Sequence, residues 1–121
     1  MMKILILEDN PERMKHFKEK FKNNADIIHT EYSETAITYL KQVEFDIVFL
    51  DHDLGGKQMD WDEENCGMNV VDWLSENIGN LKKEPDIIIH SFNFVRSEVM
   101  LDILLKSGYR ARYIPGYWLE K

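Results

Sequence analysis

The chain has 121 residues, 44% of them hydrophobic, which suits one domain with a single core and leaves no room for a second domain. Its 22 acidic and 15 basic side chains give a net charge of −7, which argues against a partner such as duplex nucleic acid, because binding to phosphates depends on Lys and Arg. The single cysteine excludes an internal disulfide, and the lack of an apolar run of about 18 residues or of a charged-then-apolar leader predicts a soluble, cytoplasmic protein with no membrane partner.

Short apolar runs rich in β-branched residues alternate with amphipathic stretches, a pattern typical of βαβ units around a parallel sheet. The first predicted elements are a strand at about Lys3 to Leu7, a helix from Pro11 to Asn23, a strand at Asp26 to Thr30, a helix that opens at Ser33, and a strand at Asp46 to Leu50. A loop from Leu54 to Gly67 follows, then a helix from Met68 to Ile78, a strand at Asp86 to Ile89, a helix from Phe94 to Lys106, and a strand at Arg110 to Ile114. The pattern predicts one α/β domain over residues 1–121, with a loop long enough to be a lid or a binding element.

The last helix of the predicted fold is missing or very short, because only Pro115 to Lys121 follows the fifth strand. A doubly wound sheet normally has both faces covered, so apolar surface beside that strand needs cover. Two options stay open. Tyr117, Trp118 and Leu119 could fold back over the surface, or a second subunit could cover it in a homodimer.

Polar side chains follow three of the predicted strands at the point where each strand ends. They are Glu8 and Asp9 after the first strand, Asp51, His52 and Asp53 after the third, and His90, Ser91 and Asn93 after the fourth. Because the carboxyl ends of parallel strands meet at one edge of a sheet, we expect the acids and imidazoles to converge there. Neighbouring carboxylates repel one another unless a cation lies between them, so the sequence predicts a metal site. Carboxylates favour Mg²⁺, and an added imidazole also admits Mn²⁺, Zn²⁺ or Fe²⁺.

The arrangement of acids resembles the receiver domain of two-component response regulators over nearly the whole chain. Glu8 and Asp9 resemble its acidic pair, Asp51 resembles the phosphoacceptor aspartate in its Asp-x-x-Leu/Met-Pro/Gly setting, and Asp53 resembles the residue whose backbone carbonyl completes the metal shell. The resemblance implies a flavodoxin-like three-layer sandwich with a parallel five-stranded sheet of order 2-1-3-4-5. In that order Asp9 and Asp51 would face each other across the switch point, where ligands bind.

Two positions depart from an ordinary receiver. His90 stands where receivers have Thr or Ser, and Ile114 stands where they have the Lys that contacts an acyl phosphate. With Asp-His-Asp-Leu-Gly and Ile-His-Ser-x-Asn, these departures make the chain more similar to an offshoot of receivers, the cyclic-phosphate processing receiver family. That resemblance implies phosphoesterase work on cyclic phosphate ends or cyclic nucleotides.

We therefore expect a metal-dependent phosphoesterase whose partner is a small phosphorylated or cyclic nucleotide ligand. The metal, most readily Mg²⁺ or Mn²⁺, would be held by Glu8, Asp9, Asp51 and Asp53. His52 and His90 would exchange protons with the attacking water and the leaving oxygen, because an imidazole titrates near neutral pH. The phosphate would be contacted by Arg13, Ser91 and Asn93.

Each assignment has a plainer alternative. The acids could cap loops, the histidines could be structural, and Arg13 could form a surface ion pair. The whole protein also has alternatives: a stand-alone receiver that is phosphorylated at Asp51, or a binding module without catalysis that uses the same crevice.

Overall fold

The computed structural model describes residues 1–51, 66–91 and 93–115, which form a parallel sheet flanked by helices. The strands are β1 (Met2–Leu7), β2 (Ala25–Thr30), β3 (Ile47–Leu50), β4 (Asp86–Ser91) and β5 (Ala111–Pro115). The helices are α1 (Pro11–Lys20), α2 (Ser33–Gln42), α3 (Gly67–Glu76) and α4 (Phe94–Ser107). The strand order is β2-β1-β3-β4-β5, and every neighbouring pair is parallel. The predicted flavodoxin-like architecture is confirmed.

Three element ends differ from the sequence prediction by more than one residue: those of α1, of α3, which ends at Glu76, and of β4. Helix α1 ends at Lys20: the Phe21 N–H makes the last helical hydrogen bond, to the Phe17 carbonyl, and the Asn24 N–H then donates to the Phe21 carbonyl at 3.1 Å in a tight turn. Strand β4 continues to Ser91, because His90 and Ser91 both pair with β5. His90 is therefore a strand residue, and its side-chain direction is set by the alternation of the strand.

Each face of the sheet carries its own hydrophobic cluster. On one face, α2, α3 and α4 pack on the odd-numbered residues of β1 and β4 and the even-numbered residues of β3, among them Leu5, Val48 and Ile87. On the other face, Met14 and Phe17 of α1 pack on the alternate strand residues, which are Ile4, Ile6, Phe49 and Ile88. The described residues thus form three layers, and we refer to the second face as the α1 face.

The alternation of the strands decides where the polar strand ends point. Ile4 and Ile6 are followed two residues later by Glu8, Phe49 by Asp51, and Ile88 by His90, so all three polar side chains lie on the α1 face. The three strands are neighbours in the sheet. This geometry brings two acids and an imidazole together beneath the first turn of α1.

Several predicted features lie outside the described residues: His52, Asp53, most of the predicted loop, and the segment with Tyr117, Trp118 and Leu119. Among the described residues, every helix is too short or too polar to span a bilayer.

Candidate functional site

Three buried polar side chains meet at the carboxyl ends of the central strands. Glu8, Asp51 and His90 are respectively 0%, 1% and 0% exposed. Each offers a potential ligand atom, and these atoms all lie within 4.8 Å of one another. Two carboxylates and an imidazole at this spacing form a possible metal site, which we call the acidic cluster.

Arg13 reaches into the acidic cluster from the first turn of α1. Its Nε donates to Glu8 Oε1 at 2.5 Å, and its Nη2 donates to Glu8 Oε2 at 3.0 Å and to Asp51 Oδ2 at 3.1 Å. The residue is 8% exposed, so this is a buried ion pair and not the surface pair considered as its alternative. Burial alone would lower the pKa of Arg13, but the hydrogen bond and negative charge of Glu8 and the charge of Asp51 raise it above its ordinary value. Arg13 therefore stays charged and connects the two acids.

The position of Arg13 follows from the way α1 begins. Asn10 is the N-cap, and its Oδ1 accepts hydrogen bonds from the backbone N–H groups of Glu12 at 2.9 Å and Arg13 at 3.2 Å. Pro11 occupies the first turn, where its missing N–H costs nothing. The cap fixes the backbone of the turn that carries the guanidinium.

His90 is held against Glu8 in an apolar setting. Its Nε2 lies 3.1 Å from Glu8 Oε1, and its ring packs edge-on against Phe17 and Phe49 at centroid distances of 5.1 and 6.0 Å. Burial lowers the pKa of His90 because the charged imidazole is poorly solvated there, although Glu8 opposes the change. The ring is then neutral near pH 7, and since a carboxylate only accepts, the proton lies on Nε2. Nδ1 has no hydrogen-bond partner among the described residues.

Glu8 organises the acidic cluster. Besides Arg13 and His90, its carboxylate accepts the backbone N–H groups of Asp9 at 2.9 Å and Asn10 at 3.1 Å. Burial alone would raise its pKa, but the hydrogen bonds from His90 and Arg13 hold the pKa well below its ordinary value. Glu8 is thus a fixed negative charge.

Asp51 is in the opposite situation. Burial raises its pKa well above the ordinary value, the negative charge of Glu8 adds to the effect, and Arg13 opposes it. Within the described part of the chain, one guanidinium faces two carboxylates, and the imidazole is neutral. The buried cluster therefore favours either a proton on Asp51 or an additional cation.

Asp9 lies beside the acidic cluster, outside the group whose ligand atoms are within 4.8 Å of one another. The receiver resemblance implied that Asp9 would face Asp51, whereas in the structure Glu8 is the acid of this pair that shares the group with Asp51. Asp9 lines a cavity of about 540 Å³ between α1 and the end of β2, together with residues such as Lys15 and His29. A supporting role for Asp9 in metal binding stays a prediction.

The family of the chain follows from a comparison with known families. The sequence model described as the cyclic-phosphate processing receiver domain matches residues 3–106. The chain belongs to this family. No curated protein matches the chain significantly.

Solved structures of receiver domains share the fold of this cyclic-phosphate processing receiver. A signal receiver domain of a putative Luxo repressor protein from Vibrio parahaemolyticus superposes with a TM-score of 0.68 at 21% identity, covering 94% of this chain and 77% of that chain. The response regulator TrrA from Thermotoga maritima, in complex with Mg²⁺–BeF, has a TM-score of 0.68 at 20% identity, covering 95% and 86%. A CheY-like receiver from Methanospirillum hungatei has a TM-score of 0.66 at 15% identity, covering 95% and 81%. At these identities the likeness shows the fold.

Two predicted phosphate contacts of the cyclic-phosphate processing receiver have local structural roles. Ser91 Oγ accepts the backbone N–H of Asn93 at 3.0 Å, and Asn93 Oδ1 caps α4 by accepting the N–H of Arg96 at 3.1 Å. By strand alternation, Ser91 lies on the face opposite His90. A contact of Ser91 or Asn93 with phosphate stays a prediction, as do the roles of His52 and Asp53, which lie outside the described residues.

The sequence reasoning missed two residues that support the site of this cyclic-phosphate processing receiver. His29 Nε2 donates to the Glu8 carbonyl at 2.7 Å, and Gly67 lies so close to β3 that an added Cβ would be 2.2 Å from the Asp51 carbonyl oxygen. A glycine at the start of a predicted helix was the available signal for Gly67. Nothing in the sequence alone distinguished His29 from an ordinary exposed histidine.

Proposed function

We propose that the protein is a metal-dependent phosphoesterase that opens a cyclic phosphate or cyclic nucleotide. The observation that carries this proposal is the buried cluster of Glu8, Asp51 and His90 joined by the guanidinium of Arg13, in a chain of the cyclic-phosphate processing receiver family. Carboxylates can hold a metal ion that activates phosphate chemistry, an imidazole can exchange protons, and an arginine can bind phosphate oxygens.

The acidic cluster is chemically suited to a divalent ion. Its ligand atoms are two carboxylate groups and one imidazole, a set that suits Mn²⁺ and, through the oxygens, Mg²⁺. A dication would also balance two buried carboxylates that a single guanidinium does not balance alone. We propose that Glu8 and Asp51 hold the ion, that Asp9 and Asp53 support it, and that His90 keeps its hydrogen bond to Glu8. When bound, the ion supplies polarisation of a phosphoryl oxygen and a lower pKa for bound water.

The side chains of the chain itself perform the remaining tasks. The guanidinium of Arg13 presents several N–H donors in a plane and suits two oxygens of one phosphate. The Nε2–H of His90 is committed to Glu8, so any proton that His90 accepts goes to Nδ1. His52 is then the proposed partner for the leaving oxygen, and Ser91 and Asn93 are proposed to orient the phosphate.

A substrate panel tests the enzyme proposal. Purified protein with Mn²⁺ or Mg²⁺ is incubated with 2′,3′-cyclic nucleotides, 3′,5′-cyclic nucleotides and cyclic oligonucleotides, and the products are separated by chromatography. We expect turnover that stops with EDTA and with Asp51→Asn, and that falls by a factor of about 10² or more in His52→Ala. Arg110→Gln, which removes an exposed ion pair with Asp86 at the opposite end of the sheet, should leave turnover unchanged. If none of the substrates is opened, the protein is not a cyclic phosphoesterase.

A stand-alone receiver is the second candidate, and one observation favours it. TrrA, which shares the fold, is described in complex with Mg²⁺–BeF, and Asp51 occupies the phosphoacceptor position of receivers. Ile114 at the position of the receiver Lys counts against it. Stable labelling of Asp51 by a small phosphodonor, abolished in Asp51→Asn, would favour this candidate over the enzyme. Ligand binding without turnover, insensitive to EDTA and to His90→Ala, would instead indicate a binding module.

A further inference from the structure

We infer that Arg13 is a built-in counter-ion of the acidic cluster, and that a divalent ion binds only when the guanidinium gives up its contacts with Glu8 and Asp51. This inference rests on the metal site of the proposed function. It adds an exchange between two cations, and it gives Arg13 one role in the metal-free protein and a different role when metal is bound.

The contacts of Arg13 use the same oxygen atoms that a metal would need. Both oxygens of Glu8 accept from the guanidinium, and Asp51 contributes Oδ2. Glu8 Oε1 is also close to His90, and Glu8 Oε2 also accepts two backbone N–H groups. A carboxylate oxygen with this many donors has no lone pair left for an ion. Metal binding therefore requires that one set of donors leave.

Arg13 is the donor that can leave at the lowest cost. The backbone N–H groups are fixed by the turn before α1, and the His90 ring is enclosed by Phe17 and Phe49. The guanidinium lies at the end of a long flexible side chain, and Arg13 is the most exposed of the four interacting residues, 8% against 0 to 1%. Its side chain can therefore move while the capped backbone stays in place.

Charge also favours exchange over joint occupancy. A guanidinium and a dication in one buried site would place three positive charges against two carboxylates, in surroundings that screen repulsion poorly. A dication alone balances the two carboxylates. The released guanidinium keeps its charge and stays tethered to the first turn of α1, at the rim of the site.

The exchange orders the events at the site. Before metal binds, Arg13 neutralises the acids and is not available to phosphate. After metal binds, Arg13 is released and can contact the phosphate of an incoming cyclic phosphate. Metal binding and phosphate binding are then coupled through one side chain, and the coupling must be reciprocal.

The test compares Arg13→Gln with the wild type and with Arg110→Gln, which removes an arginine that pairs with an aspartate outside the site. Mn²⁺ affinity is measured by isothermal titration calorimetry without substrate, and thermal unfolding is followed with EDTA or with Mn²⁺. We expect Arg13→Gln to bind Mn²⁺ with a Kd at least about tenfold smaller than that of the wild type, because no guanidinium competes. We also expect a lower Tm than the wild type in EDTA and a larger rise in Tm with Mn²⁺, while Arg110→Gln follows the wild type.

An unchanged or weaker Mn²⁺ affinity in Arg13→Gln would overturn the inference, and so would the absence of binding in both proteins. Arg13→Lys keeps a charge but lacks the planar fork, so its Kd should lie between the two, and it serves if the glutamine variant does not fold. Asp51→Asn should bind Mn²⁺ weakly in either background.

These measurements use no substrate. If Arg13→Gln binds Mn²⁺ more tightly but no cyclic phosphate is opened by the wild type, the exchange stands and the enzyme proposal fails.

Discussion

At the scale of single residues, the two buried carboxylates have opposite effects on stability. Glu8 accepts hydrogen bonds from Arg13, His90 and the backbone, and its pKa is depressed. Asp51 is buried beside the same negative charge, and its pKa is raised. A carboxylate with a depressed pKa stabilises the fold when ionised, whereas one with a raised pKa destabilises it when ionised. Near neutral pH, Asp51 therefore lowers the free energy of unfolding, although its carboxylate is a potential metal ligand.

We predict that Asp51→Asn is more stable than the wild type at pH 7 in EDTA, by about 1 to 3 kcal/mol. The amide keeps a similar shape and can still accept from Arg13, but it removes the charge that burial and Glu8 oppose. The free energy of unfolding in urea, followed by circular dichroism, measures the difference. A less stable variant at pH 7 would contradict the assignment of Asp51 as a strained carboxylate.

The same pair of proteins should show a defined dependence on pH. In the wild type, Asp51 binds its proton more tightly when folded, so its contribution to stability falls as pH rises above its ordinary value of 3.8. Asp51→Asn lacks this loss. The contribution of Glu8, which is lost as pH falls below 4.5, and that of neutral His90, which is lost below 6.5, are common to both proteins. The stability gap should therefore widen as pH rises from about 4 to 7, and a gap that does not change with pH would be evidence against the prediction.

At the scale of elements, the beginning of α1 positions the functional arginine. Asn10 caps α1 and Asn93 caps α4 in the same way, through a side-chain oxygen. We predict that alanine at either position lowers the free energy of unfolding by about 1 kcal/mol. Only Asn10→Ala should also change Mn²⁺ affinity, because it alone loosens the turn that carries Arg13. Equal effects of the two variants on Mn²⁺ affinity would show that the cap does not position the guanidinium.

The beginning of α3 supports the site through close packing. A Cβ at Gly67 would lie 2.2 Å from the Asp51 carbonyl oxygen and 3.0 Å from Met100 Cε, so the backbone of α3 or β3 must move to accept alanine. We predict that Gly67→Ala lowers the free energy of unfolding by about 2 kcal/mol or more and weakens Mn²⁺ binding. Glu76→Ala, at the exposed end of the same helix, is the matched control and should do neither. A Gly67→Ala variant with wild-type stability would mean that this helix end is loosely packed.

At the scale of the whole molecule, the sheet was predictable and part of the site was not. The apolar runs gave the strands, and the receiver resemblance gave their order. The alternation Ile4, Ile6, Glu8 already predicts that Glu8 lies on the α1 face beside Asp51. The receiver resemblance instead implied Asp9 for that place, and in the structure Asp9 lines the cavity between α1 and the end of β2. The contact between Arg13 and Glu8 was not predictable, because it depends on which of several partners a long side chain reaches in three dimensions.

The extent of β4 shows a second limit of sequence reasoning. The apolar run ends at Ile89, and the polar character of His90 and Ser91 indicated a loop. In the structure both residues pair with β5. Pairing supplies backbone hydrogen bonds whatever the side chain, so a polar residue can continue a strand when a neighbouring strand extends past it. A site residue at a strand end is therefore more rigid than its sequence suggests.

The acidic cluster joins three neighbouring central strands and one helix, so a bound ion should stabilise the domain as a unit. Mn²⁺ at about 100 times its Kd should raise the free energy of unfolding by about 2.7 kcal/mol, if the unfolded chain does not bind it. Tryptophan fluorescence and far-ultraviolet circular dichroism should report the same midpoint, as expected for one cooperative transition. Different midpoints would place the metal in a locally folding segment and not among β1, β3 and β4.

The ion should also change the comparison between the wild type and Asp51→Asn. In EDTA the variant is expected to be the more stable protein, because it lacks a strained buried charge. In Mn²⁺ the wild type gains the binding energy and the variant, which has lost a ligand, gains little, so the gap should narrow by about 2.7 kcal/mol or reverse. A gap that Mn²⁺ leaves unchanged would separate Asp51 from metal binding. The pair of measurements thus tests one physical statement: burying the Asp51 charge destabilises the metal-free fold, and a divalent ion removes that destabilisation.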